Sequence, residues 1–599
     1  MNIRCISAQG QVVATDLAAL LDADRREATR VEANRWIKRL RLVRYGAQSM
    51  RERFTYRGDS LWWFTEIYLH KMRQLEQAMS VVLALDAAAA QHAPHRIEVD
   101  TASLAARDAA RAFGSARGIK IDMAGEAARD RSRVWQSYLV GLTARLSRLR
   151  PGRRLSPLHH PIAAAFVHTA FWRDADPQHE SYIGPVLQTL TRRLEDGLFC
   201  VGIGPRRNFR ARRWWDPLAA SRTPGSPVTP VEQLAPASAL EGSLELWRQR
   251  DTLARELTSG DSVRAAAEFL GCDLWPVLQR ELIDAACVQW PWLARAMDEA
   301  GAALDVLQPQ VAFTYAEAGG WGRAMVLEAR RRGIRSAGIQ HGFIYRHWLN
   351  YLHEPDEMQP IGGDGGFPRP DRTLLFDRYT AETLEHSGHF PASSLSITGS
   401  ARLDDLVARL AALRPRREEL RRSLGIDGDG PVAVLAAKFT EIRGVLPGLI
   451  SAVSHLPGMT LVIKPHPAET AAVYDPFLRH SPNVSIAPPE TDLAAALASA
   501  DGLVTMNSTV AIDGLVLGVP ALVIGLPNNL SPFVSAGVML GADSPEKIQQ
   551  ELQSLLYDRQ VRDRLAGVAA AFATRYALAP NGHAADQAAD TILALAGAT

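Results

Sequence analysis

The feature that most constrains the fold is a regular alternation of short apolar runs and helical patterns, which begins at about residue 311. Typical runs are VAFTY, PVAVLAA, MTLVIK, GLVTM and PALVIG. They are continuously apolar, which is typical of strands whose two faces are both covered by helices. The alternation therefore predicts an α/β fold with parallel sheets.

Two shorter units of the same kind precede this region. The first has strands at 95–101 and 118–123, joined by an alanine-rich helix. The second has strands at 162–168 and 198–204, joined by a helix near 183–194. A strand–helix–strand pattern predicts two parallel neighbours in one sheet.

The predicted domain boundary is the loop at 360–370, which is rich in glycine and proline. At 599 residues the chain is too long for a single hydrophobic core. We expect a helix-rich N-terminal α/β domain at 1–370, with helical insertions at about 222–305. A C-terminal Rossmann-like domain would follow at 371–599, and the two domains would face each other across a cleft that holds the site.

Composition excludes several classes of protein. The formal net charge of +2 does not favour nucleic acid, and the four cysteines are widely spaced without a metal-binding pattern. The first residues lack a signal-sequence pattern, and the longest apolar runs, of about 13 residues, are shorter than a bilayer span. We expect a cytoplasmic protein, at most peripheral to the inner face of the plasma membrane.

Two basic runs with interleaved aromatic residues stand out, Arg35–Phe54 and Arg206–Trp215. Such runs suit a membrane surface or an anionic polymer. The alternative interpretation is a solvated helix face and a basic loop. If either run binds a membrane, we expect the protein to associate peripherally with the inner face of the plasma membrane.

Polar groups follow two of the predicted C-terminal strands. Lys464 and His466 come directly after MTLVIK, and Asn507, Ser508 and Thr509 come after GLVTM, where a helix begins. Ligands bind outside the carboxyl ends of parallel strands, and helix N-termini favour anions. The pattern predicts a phosphate site for a nucleotide. The alternatives are a structural histidine and a simple helix cap.

A third strand-to-helix turn is ITGSAR, in which Gly399 and Ser400 follow the strand. Glycine permits a close approach of the backbone to a ligand, so this turn is a further candidate for donor binding. A plain turn with a serine cap is an equal alternative.

Two candidates for acid–base chemistry lie in the N-terminal half. Glu317 leaves the strand VAFTY beside a glycine pair, and His341 follows the strand that ends at IQ. A carboxylate or imidazole at the mouth of a cleft suits a general base for a hydroxyl nucleophile. A surface carboxylate and a structural histidine are the alternatives.

Other catalytic classes lack their residues. The glycines after Glu317 do not have the GxGxxG spacing of a dinucleotide site, and no Walker A loop, GxSxG elbow or HExxH motif occurs. His353, Glu354 and Glu357 match no metal-binding spacing, so no metal site is predicted.

Taken together, these segments resemble the two-domain GT-B glycosyltransferases of bacterial surface and capsular polysaccharide biosynthesis. The resemblance is to the group around capsule Kdo transferases, sialyl- and polysialyltransferases and CDP-glycerol glycerophosphotransferases. That group carries an HP motif and an S-S/T motif, which fall here on His466–Pro467 and Ser508–Thr509. The E-x7-E glutamate pair of another GT-B branch is missing; Asp513 and Gly514 stand there.

The resemblance implies that these motif residues hold the phosphate and nucleotide of the donor. The sialyltransferases also carry an acidic-acidic-Gly motif, of which EAG at Glu317–Gly319 keeps the first acid and the glycine but has alanine between them. QHG at 340–342 is similar to a His-Gly turn of the glycerophosphotransferases. The resemblance covers roughly residues 311–540.

The sequence therefore predicts a metal-independent glycosyltransferase. It would move a sugar from a nucleotide-activated donor to a surface polysaccharide or glycolipid acceptor. The donor is a substrate, so no cofactor is expected. The alternatives are a CDP-glycerol-type glycerophosphotransferase, a nucleotide-sugar 2-epimerase, and a non-catalytic nucleotide-binding subunit of a polysaccharide assembly complex.

Overall fold

The structure is a computed structural model. It describes residues 1–127, 160–168, 180–204 and 228–597, apart from 316, 345, 427, 467–468, 479–480, 489–490, 507–509, 526–528, 530 and 579.

The N-terminal region is a four-stranded sheet covered by helices. Its elements are β1 (Asn2–Ile6), β2 (Val12–Asp16), α1 (Ala23–Arg39), α2 (Trp62–Met72), α3 (Gln74–His92), β3 (Arg96–Asp100), α4 (Leu104–Arg117) and β4 (Lys120–Ala124). The strand order is β2-β1-β3-β4. Strands β3 and β4 are parallel and joined by α4, which confirms the first predicted strand–helix–strand unit.

A seven-stranded sheet follows, and all of its pairings are parallel. Its strands are β5 (Ala163–His168), β6 (Leu198–Ile203), β7 (Val228–Pro230), β8 (Val311–Thr314), β9 (Arg335–Ile339), β10 (Arg372–Leu375) and β11 (Leu395–Ile397). The order is β7-β6-β5-β8-β9-β10-β11. When the strands are numbered by their position in the chain, their order across the sheet is 3-2-1-4-5-6-7. This is the Rossmann arrangement with one strand added.

Helices connect and cover these strands. They are α5 (Gly184–Leu194), α6 (Glu241–Thr258), α7 (Trp275–Asp284), α8 (Trp290–Leu307), α9 (Gly320–Arg331) and α10 (Arg378–Gly388). α5 joins the parallel pair β5 and β6, which confirms the second predicted unit. α6, α7 and α8 occupy the range in which the sequence predicts a helical insertion.

The C-terminal region has a six-stranded parallel sheet. Its strands are β12 (Val432–Ala436), β13 (Thr460–Ile463), β14 (Val484–Ile486), β15 (Gly502–Thr505), β16 (Ala521–Ile524) and β17 (Leu540–Ala542). The order β14-β13-β12-β15-β16-β17 is again 3-2-1-4-5-6. The main helices are α11 (Ala401–Leu413), α12 (Leu446–Ser454), α13 (Leu493–Ser499), α14 (Val510–Leu517), α15 (Pro545–Tyr557), α16 (Arg559–Tyr576) and α17 (Ala584–Leu595).

The chain passes between the two parallel sheets later than the sequence suggests. β10 and β11 pair in the first parallel sheet, so the predicted division at 370/371 falls inside that sheet, and the second one begins only at Val432. The loop at 360–370 is anchored: its Asp364 is 1% exposed and accepts hydrogen bonds from Arg51 and Trp63. α17 returns to the first parallel sheet, where Ile592 joins its core.

The carboxyl edges of the two parallel sheets face each other. Phe343, which follows β9, packs on Phe533, which follows β16, with ring centroids 4.8 Å apart. Tyr379, on α10 after β10, packs edge-on against Tyr576 of α16. The predicted fold class is confirmed: an α/β, GT-B-like architecture with two Rossmann-like sheets and a helix-rich N-terminal half.

The basic run Arg35–Phe54 is partly buried: Arg35, Arg39, Arg44 and Arg53 are exposed, whereas three other cations are internal. Lys38, Arg41 and Arg51 are each less than 5% exposed and bind Glu357, Asp356 and Asp364 respectively. These three cations therefore tie the N-terminal helices to the segment before β10. The run at 206–215 lies outside the described residues. Among the helices that the structure describes, none has the length and apolar composition needed to cross a bilayer.

Candidate functional site

The strand order places one end of the site where β5 and β8 lie side by side. The strands that follow β5 in the chain lie on one side of it, and β8 and the strands after it lie on the other side. Such switch points form crevices outside the carboxyl ends of the strands. His168 ends β5, Tyr315 and Glu317 follow β8, and His341 follows the next strand, β9. The structure thus brings both predicted acid–base residues to one sheet edge.

Glu317 lies in the turn between β8 and α9 and is 4% exposed. Its Oε1 accepts a hydrogen bond of 2.7 Å from the Tyr351 hydroxyl. Its Oε2 has no hydrogen-bond partner among the residues that the structure describes. Burial raises the pKa of Glu317 to about 7, because the charged carboxylate is poorly solvated there. A carboxyl group with that pKa can exchange a proton near neutral pH.

His341 lies among aromatic rings. Its ring centroid is 5.3 Å from that of Tyr182, 5.6 Å from Tyr315 and 6.5 Å from Trp348. Nδ1 is buried and likewise unpartnered within the described part of the chain. Burial lowers the pKa of His341 to about 4, so the imidazole is neutral at pH 7.

Two buried titratable groups at this edge were not identified from the sequence. Burial, with the nearby His341, lowers the pKa of His168 to about 4. Burial raises the pKa of Glu180 to about 7, although this carboxylate accepts hydrogen bonds from the backbone N–H groups of Tyr182 and Ile183. His168 could have been found, since it ends a predicted strand; Glu180 lies outside every predicted element.

The second sheet presents cations at the carboxyl ends of β12 and β13, and β12 borders the switch point between β12 and β15. Lys438 follows β12, and Lys464 and His466 follow the adjacent strand β13. Burial and the charges of Lys438 and Lys464 lower the pKa of His466 to about 4. Its imidazole is therefore neutral at pH 7 and can donate a hydrogen bond to an anion between two ammonium groups. Lys438 was missed, although it directly follows the run PVAVLAA.

The loops after β12 and β13 are joined to each other. The Glu469 carboxylate accepts the backbone N–H of Phe439 with both oxygens at 2.9 Å. This contact holds the lysine of one loop beside the lysine and histidine of the other. Pro467, Asn507, Ser508 and Thr509 lie outside the described residues, so their predicted roles stay predictions.

Gly399 and Ser400 lie elsewhere. They follow β11, three strands from β8 in the first parallel sheet. Gly399 has φ +77°, and a Cβ there would be 3.1 Å from the Cβ of Ala584. Ser400 caps α11 by accepting the backbone N–H of Leu403. These contacts match the alternative interpretation of a capped turn, and a role in donor binding stays a prediction.

His353 and Glu357, whose residue types could bind a metal, contact the ammonium group of Lys38. His353 and Glu357 lie with Glu66 close enough to share a cation. The Nζ of Lys38 is 3.1 Å from His353 Nδ1, 3.2 Å from Glu66 and 3.0 Å from Glu357. The protein thus supplies a positive charge to these buried carboxylates from its own chain.

No protein-family model matches the sequence, and no curated protein matches it. Solved structures match at low identity. The UDP-GlcNAc 2-epimerase from Neisseria meningitidis bound to UDP-GlcNAc is 13% identical, covering 72% of this chain and 99% of that chain, with a TM-score of 0.43. The S. aureus MnaA–UDP co-structure is 9% identical, covering 74% and 98%, also at 0.43.

The wall teichoic acid polymerase TagF is 13% identical, covering 78% of this chain and 99% of that chain, with a TM-score of 0.40. These neighbours are enzymes, but similarity at this level supports no assignment of activity.

Proposed function

We propose that this protein is a metal-independent glycosyltransferase that moves a sugar from a nucleotide-activated donor to a hydroxyl group of a surface polysaccharide or glycolipid. One observation carries the proposal. Two Rossmann-like sheets face each other at their carboxyl edges, and one edge holds a buried carboxylate with an unshared oxygen while the other holds cations. That division of charge suits an acceptor hydroxyl on one side and a nucleotide phosphate on the other.

The donor would bind at the second sheet. Lys438 and Lys464 would neutralise the phosphate charge that grows as the nucleotide leaves, and His466 would donate a hydrogen bond. Asn507, Ser508 and Thr509 are proposed to complete this phosphate site, with Pro467 directing the loop.

The acceptor would bind at the first sheet. Glu317 Oε2 would take the proton of the acceptor hydroxyl as its oxygen attacks the anomeric carbon. The bond from that carbon to the phosphate oxygen would break, and its electron pair would leave with the nucleotide. A base with a pKa near 7 suits this proton transfer at neutral pH.

His341 is the alternative base, because its Nδ1 is also unshared. The two candidates differ in pH dependence. With Glu317 as the base, turnover should rise with pH until it levels off above about 7. With His341 as the base, turnover should be flat from pH 5.5 to 8, since its pKa is about 4.

The first experiment is a thermal-shift screen of the protein against CMP, CDP, UDP and GDP. A nucleotide at 100 times its Kd should stabilise the protein by about 2.7 kcal/mol. CMP would favour a Kdo- or sialyl-type donor, CDP the glycerophosphotransferase alternative, and UDP a hexose donor or the epimerase alternative. The absence of any shift would contradict the proposal.

The second experiment measures donor consumption with and without acceptor, in the wild type and in Glu317→Gln and His466→Ala. A transferase should need the acceptor, and both variants should be impaired. An epimerase would convert the donor alone. A non-catalytic subunit would bind nucleotide equally in the wild type and in Glu317→Gln and consume none. Lys547→Ala is a matched control, since Lys547 is an exposed lysine on α15 paired with Asp543.

A further inference from the structure

Glu317 is held by residues that are distant in sequence. Tyr351 ends a short 3-10 helix, Leu349–Tyr351, and is 2% exposed. Its hydroxyl donates to Glu317 Oε1 at 2.7 Å, across 34 residues of chain. This bond occupies one carboxylate oxygen and leaves Oε2 unshared. The tyrosine therefore distinguishes the two oxygens of the carboxylate.

Asn350, the neighbour of Tyr351, holds the backbone of the same turn. Its Nδ2 donates to the carbonyl oxygen of Ala318 at 3.0 Å. Its own carbonyl accepts from the Arg323 guanidinium at 3.3 Å and lies 3.1 Å from His353 Nε2. Arg323 is fully buried at the start of α9 and also donates to the Trp63 carbonyl. The support of the carboxylate is thus anchored in the protein interior.

Gly338 of β9 makes room for the side chain of Glu317. A Cβ at this position would be 2.9 Å from Glu317 Cγ and 3.1 Å from its Cδ. It would also be 3.1 Å from Pro370 Cγ, so the alanine methyl group has no free direction. Such distances are shorter than ordinary van der Waals contacts, and the glutamate would have to move.

We propose that Tyr351, Asn350 and Gly338 are positioning residues of the transfer reaction, which fix Glu317 with Oε1 bound and Oε2 directed to the acceptor hydroxyl. This inference rests on the proposed function. The ionisable groups around the pair are Tyr351 itself and Arg323, with Glu66, Glu357 and Lys38 behind the guanidinium. On the β9 side the Glu317 side chain packs beside Gly338, which carries no charge.

The sharpest test is Tyr351→Phe. The phenol stabilises the ionised carboxylate, so its loss should raise the pKa of Glu317. The inflection of the pH–rate profile should move to higher pH by about one unit, and turnover at pH 6 should fall about tenfold. Turnover on the high-pH plateau should change much less. An unchanged inflection would overturn the role of Tyr351.

Tyr56→Phe is the matched control. The Tyr56 hydroxyl also donates to a buried carboxylate, Asp298, at 2.6 Å, but this pair lies between the hairpin at 55–60 and α8. This variant should lower the unfolding temperature without moving the inflection. A shift of the same size in Tyr56→Phe would show that the effect is one of general stability.

Gly338→Ala should lower turnover about tenfold to a hundredfold, because a small displacement of a general base has a large effect on rate. Asn350→Ala should act in the same direction. Neither change should alter donor affinity, which depends on the other sheet. Normal turnover in both variants would overturn their positioning role.

A readout without substrate separates this inference from the proposed function. The difference in unfolding temperature between the wild type and Glu317→Gln should change with pH above the ordinary glutamate pKa of 4.5 and level off above the pKa of Glu317, about 7. In the Tyr351→Phe background the same difference should level off about one pH unit higher. If the shift occurs but no sugar transfer is found, the contact stands and the proposed reaction fails. If it does not occur, the positioning role fails.

Discussion

The two sheet edges that form the candidate site are built in opposite ways. At the first edge the reactive groups are buried, and Glu317 is fixed by a hydrogen bond and by close packing. At the second edge Lys438 is exposed, and Lys464 and His466 are half-buried. The comparison shows that Glu317 is held in place by its surroundings, whereas Lys438 is exposed to solvent.

The interior behind the first edge explains this difference. Arg323, Glu66, Lys38 and Glu357 form a chain of buried charges that runs from α9 to α1. Removing one partner of a buried ion pair leaves an uncompensated charge, so such a chain keeps its geometry. A fixed base lowers the barrier because no reorganisation is needed during the reaction. At the second edge the proposed donor phosphate would instead meet groups that are more exposed.

The largest effect is expected from Glu317→Gln. Removing a general base should lower turnover by about 10²- to 10⁴-fold while donor affinity is retained. The measurement is steady-state turnover with saturating donor, together with nucleotide binding. If the variant binds nucleotide and turns over normally, the first edge is not the acid–base side.

The unfolding temperature of Glu317→Gln tests whether burial raises the pKa of Glu317. The ordinary pKa of glutamate is 4.5, and that of Glu317 in the folded protein is about 7. Between these values the folded chain keeps a proton that the unfolded chain has lost, so Glu317 lowers stability as pH rises. The unfolding temperature of Glu317→Gln relative to the wild type should therefore rise from pH 5 to pH 8. A constant difference would contradict the raised pKa.

The second largest effect concerns the cationic edge. Lys438→Ala and Lys464→Ala should each weaken nucleotide binding about ten- to hundredfold, since hydrogen bonds to charged groups contribute about 1.5–3 kcal/mol. Turnover at saturating donor should fall less than in Glu317→Gln. Binding by titration calorimetry, with Lys547→Ala as control, measures this. Equal binding by all variants would remove Lys438 from the proposed phosphate site.

A proton should be taken up when an anion binds. The pKa of His466 is about 4 in the free protein, and a phosphate beside it should raise that value. Calorimetry at pH 6 in buffers of different ionisation enthalpy should report proton uptake in the wild type. His466→Ala should show less. Identical uptake in the two proteins would place the phosphate away from His466.

The smallest effect is that of salt. Exposed charges are screened over about 10 Å at 0.1 M ionic strength and about 3 Å at 1 M. Donor affinity should therefore fall a few-fold between these concentrations, while turnover at saturating donor and the pH inflection stay nearly constant. A salt-dependent inflection would show that Glu317 is more exposed than its burial indicates.

Much of the fold follows from local patterns. The continuous apolar runs predict most strands of both parallel sheets, and the polar residues at their ends include Glu317, His341, Lys464 and His466. The predicted boundary at 360–370 is less successful, because glycine and proline mark a turn but do not show what covers it. Arg51 and Trp63 hold Asp364 of that loop in the interior from more than 300 residues away.

The basic run at Arg35–Phe54 gives the same lesson. The sequence suggests that its cations lie on the surface. Three of them, Lys38, Arg41 and Arg51, are nevertheless buried, because acidic partners from residues 356–364 contact them. Whether a charge faces water depends on distant segments, which a local pattern does not contain.

The two α/β regions and the residues at the strand ends follow from the amino-acid sequence, because strands that are buried on both faces are continuously apolar. Which strand ends are neighbours depends on the way the strands assemble in space. The tertiary structure places β5 beside β8 and β12 beside β13 and β15, and it sets Tyr351 against Glu317. Strand order and desolvation arise from contacts between distant segments, and those contacts raise the pKa of Glu317 to about 7.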